Sequence, residues 1–184
     1  MMTIYYFFLA IVIIGFLSCN IEQNNNSTPN KSSEIQVTQN AKVIEKNWDY
    51  ATEKDMVSGK NEYLAVSTSN NSISLSFPYT GDTYASLILR KHPRYGKDVI
   101  LKVTQGQLLC SSFEGCSLSV RFDNKSVMRF SATESADYSS DTLFIANYSR
   151  FLKSLRNSKK VVIEAPFYQD GNRAFEFNTS KLNF

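Results

Sequence analysis

From Ile4 to Leu17 almost every position is apolar, and the run stops at Ser18-Cys19. A helix of about fourteen residues is about 21 Å long, short of the ~30 Å hydrocarbon layer of a bilayer. That length suits the apolar core of an export signal over residues 1–18. The alternative is an uncleaved N-terminal anchor helix. Residues 20–46 show no sustained periodicity and are rich in Asn, Gln, Ser, Thr and Lys, a composition that predicts disorder. A flexible segment of about 25 residues has an r.m.s. span of about 25–30 Å, enough to tether a domain near a surface.

Order is expected from residue 47 to 184, with Trp48 near its start as a core residue. Tyr63 to Ser69 and Ser72 to Phe77 read as two strands about a tight turn at Asn70-Asn71, since Asn tolerates positive φ. Ile73, Leu75 and Phe77 alternate with serines, the signature of a half-buried strand. Ala85, Leu87 and Leu89 alternate in the same way up to Arg90. Lys91 to Lys97 reads as a loop, and Val99 to Val103 as the next strand. Leu118, Val120 and Phe122 alternate beyond it, Asp123-Asn124 offers a turn, and Val127 to Ser131 forms another strand. After the Leu143-to-Ala146 run, Tyr148, Phe151, Leu152 and Leu155 fall at i, i+3, i+4 and i+7, which predicts one amphipathic helix. Its basic residues gather toward the C-terminal end, where the helix dipole favours them. Val161 to Ala165 and Arg173 to Phe177 close the chain as two strands about a turn at 169–172. Many short strands and one late helix predict a mainly β fold: an antiparallel β-sandwich with one packed α-helix in its C-terminal half.

Composition supports a single core. Aromatic residues make up 13% of the chain, with 13 Phe and 10 Tyr against 7 Gly and 4 Pro. A formal charge of +3, spread along the chain, gives no basis for a nucleic-acid surface. With Cys19 at the end of the apolar run, Cys110 and Cys116 remain as an even pair. In an oxidising compartment they predict a structural disulfide across a hairpin, with free thiols as the alternative. Closing so short a loop is worth about 2 kcal/mol in the chain-entropy model.

The small residue and cysteine that end the apolar run resemble the lipobox of bacterial lipoproteins. The resemblance implies a lipoprotein signal peptide over 1–18, a lipidated Cys19 and a tether over 19–46. Asn20, following that cysteine, implies the outer membrane by the enterobacterial sorting rule, with the domain facing the periplasm. Trp48 and Tyr50, Phe77-Pro78-Tyr79, Leu89-Arg90, Asp98-Val99, Gly106-Gln107, Val120 to Asp123, Leu143 to Ile145, Ile163 to Ala165, Phe167-Tyr168 and Phe175 to Asn178 together resemble a group of poorly characterised bacterial and prophage-borne envelope proteins. More loosely, the layout is similar to periplasmic accessory proteins of type VI secretion clusters. Ser58-Gly59 with Tyr63 resembles, one residue longer, the Ser-Gly-x-x-Tyr loop of lysozyme inhibitors.

Chemistry is sparse. The chain has one histidine, His92, set before Pro93 in a charged segment, with no Gly-x-Ser-x-Gly elbow to partner. No carboxylate cluster stands at metal-ligand spacing, and no Gly-rich phosphate loop is present. Glu53 with Asp55 and Glu134 with Asp137 are close in sequence, as solvated charges often are. No cofactor is expected. The strongest surface candidate is Arg90, Lys91, His92, Arg94 and Lys97, a basic cluster suited to an acidic partner or lipid headgroups. The reading is a lipid-anchored, non-enzymatic interaction module that binds another envelope component, in a prophage or mobile-element role. Inhibition of a cell-wall hydrolase such as lysozyme and service to a secretion system are the alternatives.

Overall fold

A computed structural model describes residues 47–111 and 113–184. The signal peptide, Cys19 and the tether over 19–46 lie outside the described residues. The described residues form one compact unit, and its core cluster runs from Trp48 to Phe177.

The strands are β1 (Asp49–Lys54), β2 (Asn61–Thr68), β3 (Ile73–Ser74), β4 (Asp82–Thr83), β5 (Ala85–His92), β6 (Gly96–Val103), β7 (Cys116–Phe122), β8 (Met128–Glu134), β9 (Thr142–Ile145), β10 (Lys160–Phe167) and β11 (Gly171–Asn178). One helix, α1 (Tyr148–Arg156), precedes β10. Nine strands make one antiparallel sheet in the order β1-β2-β5-β6-β9-β8-β7-β10-β11, and β3 pairs with β4 apart from it. The sheet folds over so that β11 meets the chain leaving β2. Asn70 N–H donates to the Glu176 carbonyl, and the Asn71 side chain both accepts from Glu176 N–H and donates to the Ala174 carbonyl. The result is a sandwich with a continuous sheet, as the strand pattern predicted, and not a closed barrel.

Period-two alternation builds this core. Ala85, Leu87 and Leu89 of β5 face Val103, Leu101 and Val99 of β6 in register, and all six are buried. Phe122, Phe130, Phe175 and Phe177 fill the same interior from β7, β8 and β11. Of the four stripe residues read from the sequence, helix α1 buries Phe151, Leu152 and Leu155 and leaves Tyr148 half-buried. Phe151 packs edge-on against Phe122 and Phe130, with ring centroids 5.4 and 5.2 Å away. The chain enters the helix through Asn147 in the left-handed conformation, at φ 61°.

Four expectations need correction. Asn70-Asn71 is not a hairpin turn, because β1 and β5 already occupy both edges of β2 and the two asparagines are bonded to β11. The strand expected over Ser72 to Phe77 shrinks to Ile73–Ser74. Ser76 instead bonds Asp170 through its amide and hydroxyl, and Phe77 is 89% exposed. The segment from Lys91 to Lys97 is no loop: β5 runs through His92 and β6 starts at Gly96, so only Pro93, Arg94 and Tyr95 turn. Cys110 lies outside the named strands, and β6 pairs with β5 and β9, so β6 and β7 are not the two arms of a cysteine hairpin.

The disulfide is present. Cys110 and Cys116 are bonded with their Cα atoms 4.9 Å apart, and an isolated bridge joins Ser111 to Gly115 beneath them. Gly115 has φ +69°, and a Cβ there would lie 2.7 Å from the Ala132 carbonyl oxygen of β8. Only glycine lets the loop press this closely on the neighbouring strand.

Candidate functional site

The basic cluster becomes two separate faces once the pleat of the β5–β6 hairpin is considered. Residues directly opposite in an antiparallel pair share a face, and neighbours along a strand alternate. Arg90 is paired with Asp98 and Lys91 with Lys97. Arg90 and Asp98 therefore lie on the outer face of the sheet. Lys91 and Lys97 continue the inner face, one step beyond the buried Leu89 and Val99.

The outer face is electrostatically satisfied. Arg90 donates Nε–H and Nη2–H to Asp98 Oδ2 at 2.8 and 2.7 Å, and its Nε lies 3.8 Å from Glu62 on β2. Its guanidinium also sits 5.5 Å over the Phe144 ring. Arg94 grips Asp55, at the end of the β1–β2 hairpin, in a bidentate pair of 2.9 and 2.8 Å. His92 fastens its own turn: Nδ1 accepts the backbone N–H groups of Arg94 and Tyr95 at 3.1 and 3.2 Å. That assigns the ring proton to Nε2, which is 3.9 Å from both Asp55 and Glu62. The ring stacks on Tyr95 with centroids 4.4 Å apart. The single histidine thus serves as a latch for the hairpin.

Asp55 is the strongest electrostatic feature of this face. The Arg94 hydrogen bonds, helped by the Ser58 side chain and amide, hold its carboxyl well below the usual carboxylate range. A depressed folded-state pKa gives stability that is complete above the ordinary value of 3.8 and is lost as pH falls toward the folded value. Asp55→Asn should therefore lower the melting temperature at pH 7, and the gap to the parent should close only below pH 3.8. Thermal melts of both proteins across this range check it, and a gap that widens on acidification would contradict it.

The inner face is different. Lys91 and Lys97 join Lys153 and Arg156 of α1 around a depression of about 470 Å³, with Tyr148, Ser149, Leu152 and Asn157 completing its lining. No carboxylate lines it. Among the described residues, Lys97 and Lys153 make no salt bridge. Lys91 lies 4.1 Å from the centroid of the Phe184 ring, and Arg156 donates to the Phe184 carbonyl oxygen. The Tyr148 hydroxyl is buried without a partner among the described residues. Its pKa is raised, first by burial and then by the charge of Asp98, against the opposing pull of Arg156.

Five residues were expected to form one binding surface, and the fold unites only Lys91 and Lys97 in this depression. The helix contributions were missed, because residues more than fifty positions apart carry no local signal of meeting. A usable signal did exist on the hairpin: Lys91 and Lys97 have the parity of the buried Leu89 and Val99. The remaining candidates are dispersed. Ser58-Gly59 stands in the β1–β2 turn, and Asp137 accepts the Ser139 N–H in a tight turn. Among the described residues no group of three or more His, Cys, Asp or Glu side chains could hold a metal ion, and no helix is long and apolar enough to cross a membrane.

Comparison with family models, with curated proteins and with solved structures finds no match to this chain.

Proposed function

We propose that this chain is a non-enzymatic binding module of the bacterial envelope, held to its membrane by lipid on Cys19. It engages an anionic envelope component through the end of the sandwich where the β5–β6 hairpin meets α1. One observation carries the reading: Arg90 and Arg94 are ion-paired with Asp98 and Asp55, whereas Lys91 and Lys97 lie on the other face of the hairpin beside Lys153 and Arg156. Cations grouped around a concave surface that no acidic side chain lines repel one another, and an anionic partner relieves that cost. Tethering raises the local concentration of such a module near its partner, so modest affinity suffices. The resemblance to bacterial and prophage-borne envelope proteins supports the same compartment, with the outer membrane as its site.

Two measurements test the reading. Cys19→Ser should move the protein from the membrane fraction to the soluble or unprocessed pool, and unchanged pelleting would contradict lipid anchoring. A photo-crosslinking residue in place of Asn157, which is exposed in the lining of the depression and carries no charge, should yield a discrete adduct in the envelope of the producing cell. The same residue in place of Phe113, which is 98% exposed on the cystine loop and does not line the depression, should not. Adducts from position 113 alone would overturn the assignment of the binding end.

A further inference from the structure

Lys91 and Lys97 are directly opposite partners on adjacent strands, where like charges repel. Lys153 and Arg156 stand at i and i+3 on α1, a second like-charge neighbour pair. Both pairs line the same depression, which no acidic side chain lines, and of the four cations Arg156 is held by the Phe184 main-chain oxygen. The lining also supplies the Tyr148 and Ser149 side chains, and the Tyr148 hydroxyl lacks a partner among the described residues. Each of these groups can donate a hydrogen bond, and most carry positive charge.

Resting on the reading that this end is the binding face, we propose that the depression binds a phosphoryl group. A phosphate monoester carries a charge of about −1.5 to −2 at neutral pH and three strong acceptor oxygens, which matches several converging cations and hydroxyl donors. A single carboxylate offers one charge and two oxygens, and would leave part of the cluster uncompensated. Lys91 also lines an adjoining depression of about 310 Å³ with Tyr50, Tyr63 and Phe184. That aromatic surface is suited to the sugar or glycerol unit that carries the phosphoryl group. The phosphoryl group is one chemistry with two sources, a lipid headgroup or a soluble phosphorylated sugar.

The test uses isotope-labelled protein spanning residues 20–184, which contains the whole self-contained core. Inorganic phosphate at constant ionic strength should produce saturable amide shifts at Tyr148, Ser149 and Lys153. Lys97→Glu and Lys153→Glu should each weaken binding about tenfold or more, as loss of a charge-assisted contact implies. The milder Lys97→Gln and Lys153→Gln should weaken it in the same direction, with melting temperatures matching the parent. Arg121→Glu, an exposed strand cation outside the depression, should leave affinity unchanged. Sedimentation with phosphatidylcholine vesicles, with and without phosphatidic acid, separates the sources. Capture by the acidic vesicles assigns a headgroup, and phosphate binding without vesicle capture assigns a soluble ligand. An equal response to chloride, or affinity untouched by the lysine variants, overturns the proposal. Saturable binding of a polyglutamate peptide in the absence of phosphate binding would also overturn it, while leaving the binding end itself in place.

Discussion

Phe151→Ala should destabilise the fold by about 3–5 kcal/mol, the usual cost of truncating a buried phenylalanine. The ring is fully buried and meets Phe122 and Phe130, which also contact each other at 6.3 Å. Removing the middle of a three-ring cluster forfeits its apolar burial and two edge-on aromatic contacts, and leaves a cavity that the sheet can fill only by moving. Leu155, equally buried, belongs to the same stripe, and Leu155→Ala should cost about 2–5 kcal/mol. Arg150 lies off the stripe but holds its guanidinium 5.0 Å over the Phe130 ring. Arg150→Ala should therefore cost about 0.5–1 kcal/mol, the scale of an exposed cation–π contact. Urea denaturation of the three variants gives the order directly. A Phe151→Ala midpoint equal to the parent's would mean that α1 is not part of the core.

Removing the disulfide should cost about 2 kcal/mol. Cys110 and Cys116 are 6 residues apart, so the bond closes a short loop and restricts the unfolded chain modestly. The loop is also held by the Ser111–Gly115 bridge and by the approach of Gly115 to β8. Its neighbours Leu108 and Phe167 are joined by a further bridge. Reduction should thus lower the denaturation midpoint while the sheet persists, and the Cys110→Ser, Cys116→Ser double variant should match the reduced parent. A reduced protein as stable as the oxidised one would show that the bond adds nothing to the fold.

These effects fall where the sequence was most legible. Alternation in β5, β7, β10 and β11 and the four-residue stripe of α1 are local patterns, set by which face of each element is buried. The disulfide followed from the parity of the cysteines. β1 was illegible as a strand: its six residues are all exposed, so no hydrophobic period marks it, and it is held by pairing to β2. The short β3 misled in the other direction. Its alternation continues through Leu75 and Phe77, but the bonds of Asn70 and Asn71 to β11 and of Ser76 to Asp170 redirect the chain. Strand order was equally hidden, because β6 prefers β9 to its sequence neighbour β7. The candidate site depends on both kinds of information. Its hairpin half could be read from the parity of Lys91 and Lys97, while its helix half depends on the tertiary placement of α1.

The division of the basic hairpin into a neutralised face and a receptive face is the central claim, and paired charge reversal tests it most directly. Lys97→Glu and Arg94→Glu remove the same charge from residues three apart on one hairpin. The account predicts that Lys97→Glu abolishes crosslinking from position 157 and leaves the melting temperature at the parent's value. It predicts that Arg94→Glu, by breaking the bidentate pair with Asp55, lowers the melting temperature and leaves crosslinking intact. Loss of crosslinking in Arg94→Glu with retention in Lys97→Glu would contradict the account.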